Sequence, residues 1–147
     1  MNNNQEETQS KINVRSLLRQ SFIGIAAWMS FGLLLEGFIG FRVSAYMSVP
    51  IRREMFQLAH THGTLLSILL LISALTISKD LVYPNKLAIL LLRIGTVLMP
   101  LGFLLGGIQP NKDEPNALVF LAPIGGILVI LGIINLAFSI KKTNADN

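Results

Sequence analysis

The chain has 147 residues, a hydrophobic fraction of 52%, a charged fraction of 14% and a formal net charge of +4. The charged fraction lies well below the ~25% usual in soluble domains, which argues against a water-soluble fold. The absence of cysteine excludes disulfides, thiolate metal sites and cysteine nucleophiles. Positive charges stand at the ends of apolar segments rather than on one basic face, so membrane topology explains them and we expect no nucleic-acid partner.

Four long apolar segments follow one another along the chain, at about 21–41, 58–78, 87–108 and 117–140. Each is long enough for the ~20 apolar residues that cross a ~30 Å hydrocarbon layer. A helix pairs its own backbone N–H and C=O groups, for which lipid offers no partner. The sequence therefore predicts a single all-α domain, an integral membrane four-helix bundle with up-and-down topology and both termini on the same side.

The polar segment before the first helix, residues 1–20, is predicted to be cytoplasmic. Residues 1–10 have the composition of a disordered tail. Lys11, Arg15 and Arg19 recur every four residues, on a helical face that suits anionic lipid headgroups, and a solvated extension of the first helix is the alternative. A secretory signal is not favoured, because the apolar run is about twice as long as a signal core and contains Glu36.

The distribution of basic residues predicts the orientation. With the N-terminus inside, seven Lys and Arg residues lie on the inner side: Lys11, Arg15, Arg19, Lys79, Lys86, Lys141 and Lys142. Four lie on the outer side: Arg42, Arg52, Arg53 and Lys112. Because cytoplasmic loops are enriched in basic residues, we predict a bacterial cytoplasmic membrane protein with the N-terminus and the 141–147 tail in the cytoplasm.

The segments between the predicted helices are short except for the first. In that loop Ser48 can cap a helix and Pro50 can occupy its first turn, so the second helix is predicted to begin near 49–50. The second loop contains the turn "YPNK", and the third, "QPNKDEPN", carries two prolines that separate the third and fourth helices.

Glycine placement predicts how the helices pack. In the first helix Gly24, Gly32 and Gly40 lie on a stripe with Trp28 and Glu36, one residue every four positions. Small residues at this spacing let the backbone of a second helix approach closely. The later helices carry four similarly spaced glycines: Gly102, Gly106, Gly125 and Gly132.

Few polar residues fall inside the predicted helices, and they form two layers. Glu36 lies about 7–8 Å and His62 about 6 Å inside the outer ends of their helices, with His60 roughly 3 Å above His62. Arg93 and Asn135 lie at similar depths near the inner ends of the third and fourth helices. A charged group in hydrocarbon is costly, so each residue retained there needs a partner or a function.

The two histidines point in different directions. His60 and His62 are about 200° apart around a regular helix, so they cannot face one ion, and we predict no metal site. His60 shares its face with the small residues Gly63, Thr64 and Ser67, which predicts that it faces the bundle and pairs with Glu36. His62 is then expected to face lipid headgroups, a second protomer or the first loop.

Three functions compete for these residues. In the first, Glu36 and His60 form a hydrogen-bonded packing centre in a small scaffold, accessory or assembly protein. Its partners are then membrane lipids and a second copy of the chain or another membrane protein. In the second, Glu36 is the site of a proton-coupled transporter, since burial raises a carboxyl pKa toward neutrality. The third is a membrane redox protein with a histidine-ligated haem, although no cofactor is predicted because both histidines stand on one helix.

One stretch resembles a known group of proteins. The sequence "LAHTHGTLLSILLL", preceded by "RREMFQ" and followed by "LMPLGFLLGG" and "LAPIGG", resembles small four-helix bacterial membrane proteins with an A-H-x-H-G motif. The resemblance covers roughly residues 50 to 125 and implies a four-helix fold but no activity. The size and the helix-one glutamate are also similar to small multidrug resistance exporters. This chain is longer, however, and its Glu36 lies near the outer end without that family's flanking motif.

Overall fold

The computed structural model describes the backbone of residues 3–111 and 114–140, and the side chains within these ranges from residue 14 onward. The described residues form five α-helices and one 3₁₀ helix: α1 (Asn3–Gly40), α2 (Ser44–Met47), α3 (Pro50–Ser78), α4 (Lys86–Ile108), the 3₁₀ helix Ala117–Phe120 and α5 (Leu121–Phe138).

Four of these helical stretches are long and apolar enough to cross a membrane. We name them spans 1 to 4: Val14–Gly40, Pro50–Ser78, Lys86–Ile108 and Ala117–Phe138, with 27, 29, 23 and 22 residues. The predicted all-α fold with four membrane helices is confirmed, and the chain is a multi-pass membrane protein.

The start of α1 and the N-cap residue of α3 differ from the sequence prediction. Helix α1 begins at Asn3, so residues 3–10, which were expected to belong to a disordered polar tail, continue the first helix, and no Gly or Pro interrupts it between residues 3 and 20. Residues 1 and 2 of that tail lie outside the described residues. Helix α3 begins at Pro50, as predicted. Ser48 does not cap it, because the Ser48 hydroxyl donates to the Ser44 carbonyl (2.6 Å) and Val49 takes the N-cap position.

Left-handed residues end two of the long helices. Arg42 (φ 51°) follows α1 and Asp80 (φ 54°) follows α3. After α1, the N–H of Val43 donates to the Phe38 carbonyl (2.9 Å) and the N–H of Arg42 to the Ile39 carbonyl (3.1 Å). This is the Schellman pattern, which satisfies the last carbonyls of a helix and turns the chain sharply.

The spans pack in sequence order. Span 1 packs against span 2, span 2 against span 3 and span 3 against span 4, while spans 1 and 4 share no comparable interface within the described residues. The four helices therefore form an open row rather than a closed ring, and span 2 lies between spans 1 and 3.

One core cluster shows that the spans alternate in direction. Leu17 near the start of span 1 packs with Leu70 and Ala74 near the end of span 2 and with Leu92 near the start of span 3. Leu136, near the end of span 4, packs against this cluster. We call this end of the molecule the terminal side and the opposite end, which holds α2 and residues 109–111 and 114–116, the loop side.

Candidate functional site

Spans 1 and 2 interlock through glycines and larger side chains. A Cβ at Gly24 would overlap Ser67, a Cβ at Gly32 would overlap the His60 ring, and a Cβ at Gly63 would overlap the Trp28 indole. Each glycine thus leaves the space that a side chain of the opposite helix occupies. His60 is part of this packing rather than a residue exposed to lipid.

The His60 ring is held by the backbone of span 1. Its Nδ1 lies 2.8 Å from the Trp28 carbonyl oxygen. A carbonyl only accepts hydrogen bonds, so Nδ1 carries the proton and Nε2 of the neutral ring has a free lone pair. This bond gives the half-buried ring one polar partner and sets its tautomer.

His62 faces the other neighbour of span 2. Its ring centroid lies 5.0 Å from that of Phe103 on span 3, and its Nδ1 lies 2.9 Å from the Leu58 carbonyl oxygen one turn earlier. The expectation that His62 faces headgroups, a second protomer or the first loop does not match this position. Span 2 is the middle helix of an open row, so two residues about 200° apart each face a neighbouring span.

Glu36 does not join His60. The Glu36 side chain is exposed, and no hydrogen bond or ion pair links it to His60 in the described part of the chain. A stripe of every fourth residue turns by about 40° per step around a helix with 3.6 residues per turn. Gly24 and Gly32 therefore reach span 2, whereas Glu36 and Gly40 have turned away from it, and a Cβ at Gly40 would meet nothing within 4 Å.

The interface of spans 3 and 4 brings backbone against backbone. A Cβ at Gly102 would overlap the backbone of Ala122, and a Cβ at Gly125 would overlap the backbone of Met99. Gly106 lies against Val119, and a Cβ at Gly132 would lie 2.7 Å from Cγ of Leu92. All four glycines singled out in the later helices lie at this interface.

On the terminal side, Arg93 pairs with a residue that the sequence analysis did not single out. The Arg93 Nε–H donates to Gln20 Oε1 (2.9 Å), and Gln20 Nε2 donates to the Arg93 carbonyl (2.9 Å). Asn135, predicted to lie at a depth similar to that of Arg93, is on span 4, where its carbonyl accepts from Ser139 Oγ (2.8 Å). The sequence could have indicated this pair only through depth, because Gln20 and Arg93 lie at similar distances from the starts of spans 1 and 3.

A second arginine crosses between helices on the loop side. Arg52 donates from Nε to the Gly107 carbonyl (3.3 Å), from Nη2 to the Ile108 carbonyl (3.1 Å) and from Nη1 to the Ala45 carbonyl. It satisfies the last carbonyls of span 3, where the helix dipole is negative. These bonds give Arg52 a structural role that does not depend on which side of the membrane the loop side faces.

An aromatic cluster fills the loop side between span 1, α2 and span 2. Ring centroids are 5.7 Å apart for Phe31 and Phe56, 5.6 Å for Phe38 and Tyr46, and 6.3 Å for Tyr46 and Phe56. Tyr46 is 2% exposed, and its hydroxyl has no hydrogen-bond partner within the described residues. Burial raises the pKa of the Tyr46 hydroxyl, and the nearby Arg53 charge acts in the opposite direction.

The site residues have a limited ligand chemistry. Among the described side chains, those of residues 14–111 and 114–140, no three His, Cys, Asp or Glu come together as a metal site would require. Each histidine has one ring nitrogen without a described partner, and Glu36 has an exposed carboxylate. These three groups point to different neighbours, so they cannot bind one metal ion together.

Comparison of the chain with protein-family models, with curated proteins and with solved structures gives no match.

Proposed function

We propose that the protein is a small scaffold, accessory or assembly protein of the bacterial cytoplasmic membrane. In this proposal it binds a second membrane protein along the exposed face of span 1, with both of its own termini in the cytoplasm. The observation that carries the proposal is the exposed Glu36 carboxylate on a membrane helix, four residues before the end of span 1.

A carboxylate at this position needs a partner outside the molecule. Charged groups within TM helices are costly and normally pair, and Glu36 has no ion pair among the described residues. Span 1 is also the least covered span. In its apolar stretch of 18 residues, 11% are buried inside the molecule, against 33% in the corresponding stretches of spans 2 and 3. Leu33 beside Glu36 is 72% exposed. These features favour a partner helix that presents a basic or hydrogen-bond-donating side chain to Glu36.

Site-specific photocrosslinking in the native membrane tests the proposal. A photoreactive amino acid at Leu33 is expected to give a protein adduct of one discrete mass, and Glu36→Ala should remove that adduct. Ile130, which is 59% exposed on span 4, is the matched control position and should not respond to the Glu36 change. Absence of a discrete adduct at Leu33, or an adduct that persists in Glu36→Ala, would refute partner binding through Glu36.

The conservative change Glu36→Gln separates this function from the transport alternative. An amide still hydrogen-bonds but cannot titrate. A docking site should keep most of its adduct in Glu36→Gln. A proton-coupled transporter should instead keep its fold and lose pH-driven uptake.

One observation favours a second candidate, a haem-binding membrane protein. Nδ1 of each histidine lies against a backbone carbonyl, which leaves Nε2 as the nitrogen that can bind iron. Nε2 of His60 would lie 2.7 Å from a Cβ at Gly32 and so faces span 1. In this candidate His62 is therefore the iron ligand, and a second histidine would come from another copy of the chain. The absorbance spectrum of the protein purified in mild detergent tests this candidate. A Soret band that His62→Ala removes would support it, and no band after reconstitution with haem would reject it.

A further inference from the structure

The strongest unassigned feature lies on the terminal side, around Arg93. This residue is the eighth of α4, which places its Cα about 10 Å along the helix from Lys86. Its side chain is half-buried, and no carboxylate within the described residues forms an ion pair with it. An unpaired guanidinium at this depth is costly, so an anion from outside the protein would stabilise it.

The bonds to Gln20 fix the guanidinium and leave part of it available. Only Nε donates to Gln20 Oε1, while Gln20 uses its own amide nitrogen on the Arg93 carbonyl. Neither Nη1 nor Nη2 has an acceptor among the described residues. The planar guanidinium has five N–H donors, and an edge with two of them matches two oxygens of a phosphate.

An open groove adjoins this guanidinium. It has a volume of about 440 Å³ and is lined by Gln20, Leu90, Arg93, Ile94, Val97 and Leu98. Apart from Gln20 and Arg93, its lining is aliphatic, and Leu90, Ile94 and Val97 recur at a spacing that gives one helical face. The groove therefore joins a fixed cation to an apolar surface that continues toward the membrane centre.

We propose that this groove binds one anionic phospholipid, with its phosphate on the Nη edge of Arg93 and an acyl chain along Ile94 and Val97. Charge complementarity selects the headgroup, and the aliphatic lining selects the tail. The volume lies within the ~300–1,000 Å³ typical of small-molecule sites. The bound lipid links spans 1 and 3, which also meet through the pair of Gln20 and Arg93 and through the core cluster that contains Leu17 and Leu92. This proposal does not depend on the partner-binding function of Glu36.

Lipid binding to the purified full chain in dodecylmaltoside tests the proposal. Phosphatidylglycerol, phosphatidylcholine and diacylglycerol with identical acyl chains are compared by the lipid-induced shift of the thermal unfolding midpoint, and native mass spectrometry counts bound phospholipids. We expect phosphatidylglycerol to bind most tightly, with a dissociation constant at least about tenfold below that of diacylglycerol, because hydrogen bonds to a charged donor are the strong ones. Inorganic phosphate alone should neither bind nor compete at millimolar concentration.

Two variants and a control complete the test. Arg93→Gln should abolish the preference for phosphatidylglycerol over diacylglycerol, while Arg19→Gln, which removes an exposed charge from the same side, should keep it. Val97→Trp fills the groove at a 44%-exposed position, leaves the bonds of Arg93 intact and should weaken every lipid. This second variant keeps the test decisive even where Arg93→Gln does not fold.

Several results would overturn the proposal. Equal affinity of the wild-type protein for phosphatidylglycerol and diacylglycerol would show that the headgroup is not recognised. A preference retained in Arg93→Gln, or phosphatidylglycerol affinity unchanged in Val97→Trp, would place the lipid elsewhere. Competition by inorganic phosphate would identify a soluble anion, rather than a lipid, as the ligand of Arg93.

Discussion

Replacing Gly125 with alanine should separate spans 3 and 4. The added Cβ would lie 2.8 Å from Cα of Met99 and closer still to the Met99 backbone nitrogen, whereas ordinary contacts of a Cβ are 3.4–4 Å. A backbone cannot move aside as a flexible side chain does. The two helices must therefore move apart by at least about 0.6 Å at this point.

The loss in the free energy of unfolding depends on the contacts that are weakened when spans 3 and 4 move apart. Gly95 and Gly102 also lie against backbone atoms of span 4, so moving the helices apart at Gly125 loosens contacts along the whole interface. Overpacking of this kind costs about 1–3 kcal/mol of the free energy of unfolding. Gly126 is the matched control, because a Cβ there meets Met99 Sδ at an ordinary 3.7 Å. The greater helix propensity of alanine applies equally to both positions and cancels in the comparison.

The assay is unfolding by SDS in mixed dodecylmaltoside micelles, followed by the fluorescence of Trp28, the only tryptophan, and by circular dichroism. We expect Gly125→Ala to be less stable than Gly126→Ala by about 1–3 kcal/mol. Equal stability of the two variants would show that the backbones of spans 3 and 4 are not in the close contact described above.

Four further predictions concern the loop side and the orientation. Glu36→Leu should change the free energy of unfolding by less than about 0.5 kcal/mol in detergent, because Glu36 has no partner among the described residues, and a larger loss would reveal an internal partner. Arg52→Ala should lower the free energy of unfolding by about 1–2 kcal/mol, since carbonyls at the end of span 3 lose their donors, and an unchanged SDS midpoint would contradict this role. Tyr46→Phe should raise the stability by about 1 kcal/mol, because it removes a buried hydroxyl without a described partner. The wild-type protein should also lose stability as the pH rises from the unfolded-state pKa of tyrosine through the higher folded-state pKa, and Tyr46→Phe should lack this loss. A cysteine at Ser44 should react with an impermeant thiol reagent in whole cells and a cysteine at Ala145 should not, and the reverse pattern would invert the topology.

The architecture of the protein could be predicted from its sequence because lipid imposes simple rules. Four apolar segments of sufficient length must be helices, since no other conformation of a single segment pairs its backbone groups in hydrocarbon. Short connections between them make neighbouring helices antiparallel. The start of α3 at Pro50 was predictable for a local reason, because proline at the first helical position lacks an N–H that would be unpaired there anyway.

The contacts of the site residues depend on how each helix is rotated about its axis and on which helices lie beside it, and no local sequence pattern specifies either. A four-residue stripe contacts one partner for only two or three turns, so Gly32 faces His60 while Glu36, one turn later, turns outward. His62 contacts Phe103 because span 3 is one of the two neighbours of span 2. The bonds between Gln20 and Arg93 join residues 73 positions apart. Hydropathy and spacing determine that such residues lie in the membrane and how deep they lie. Their partners follow only from how the helices are rotated and arranged, because packing of all four spans together sets those angles.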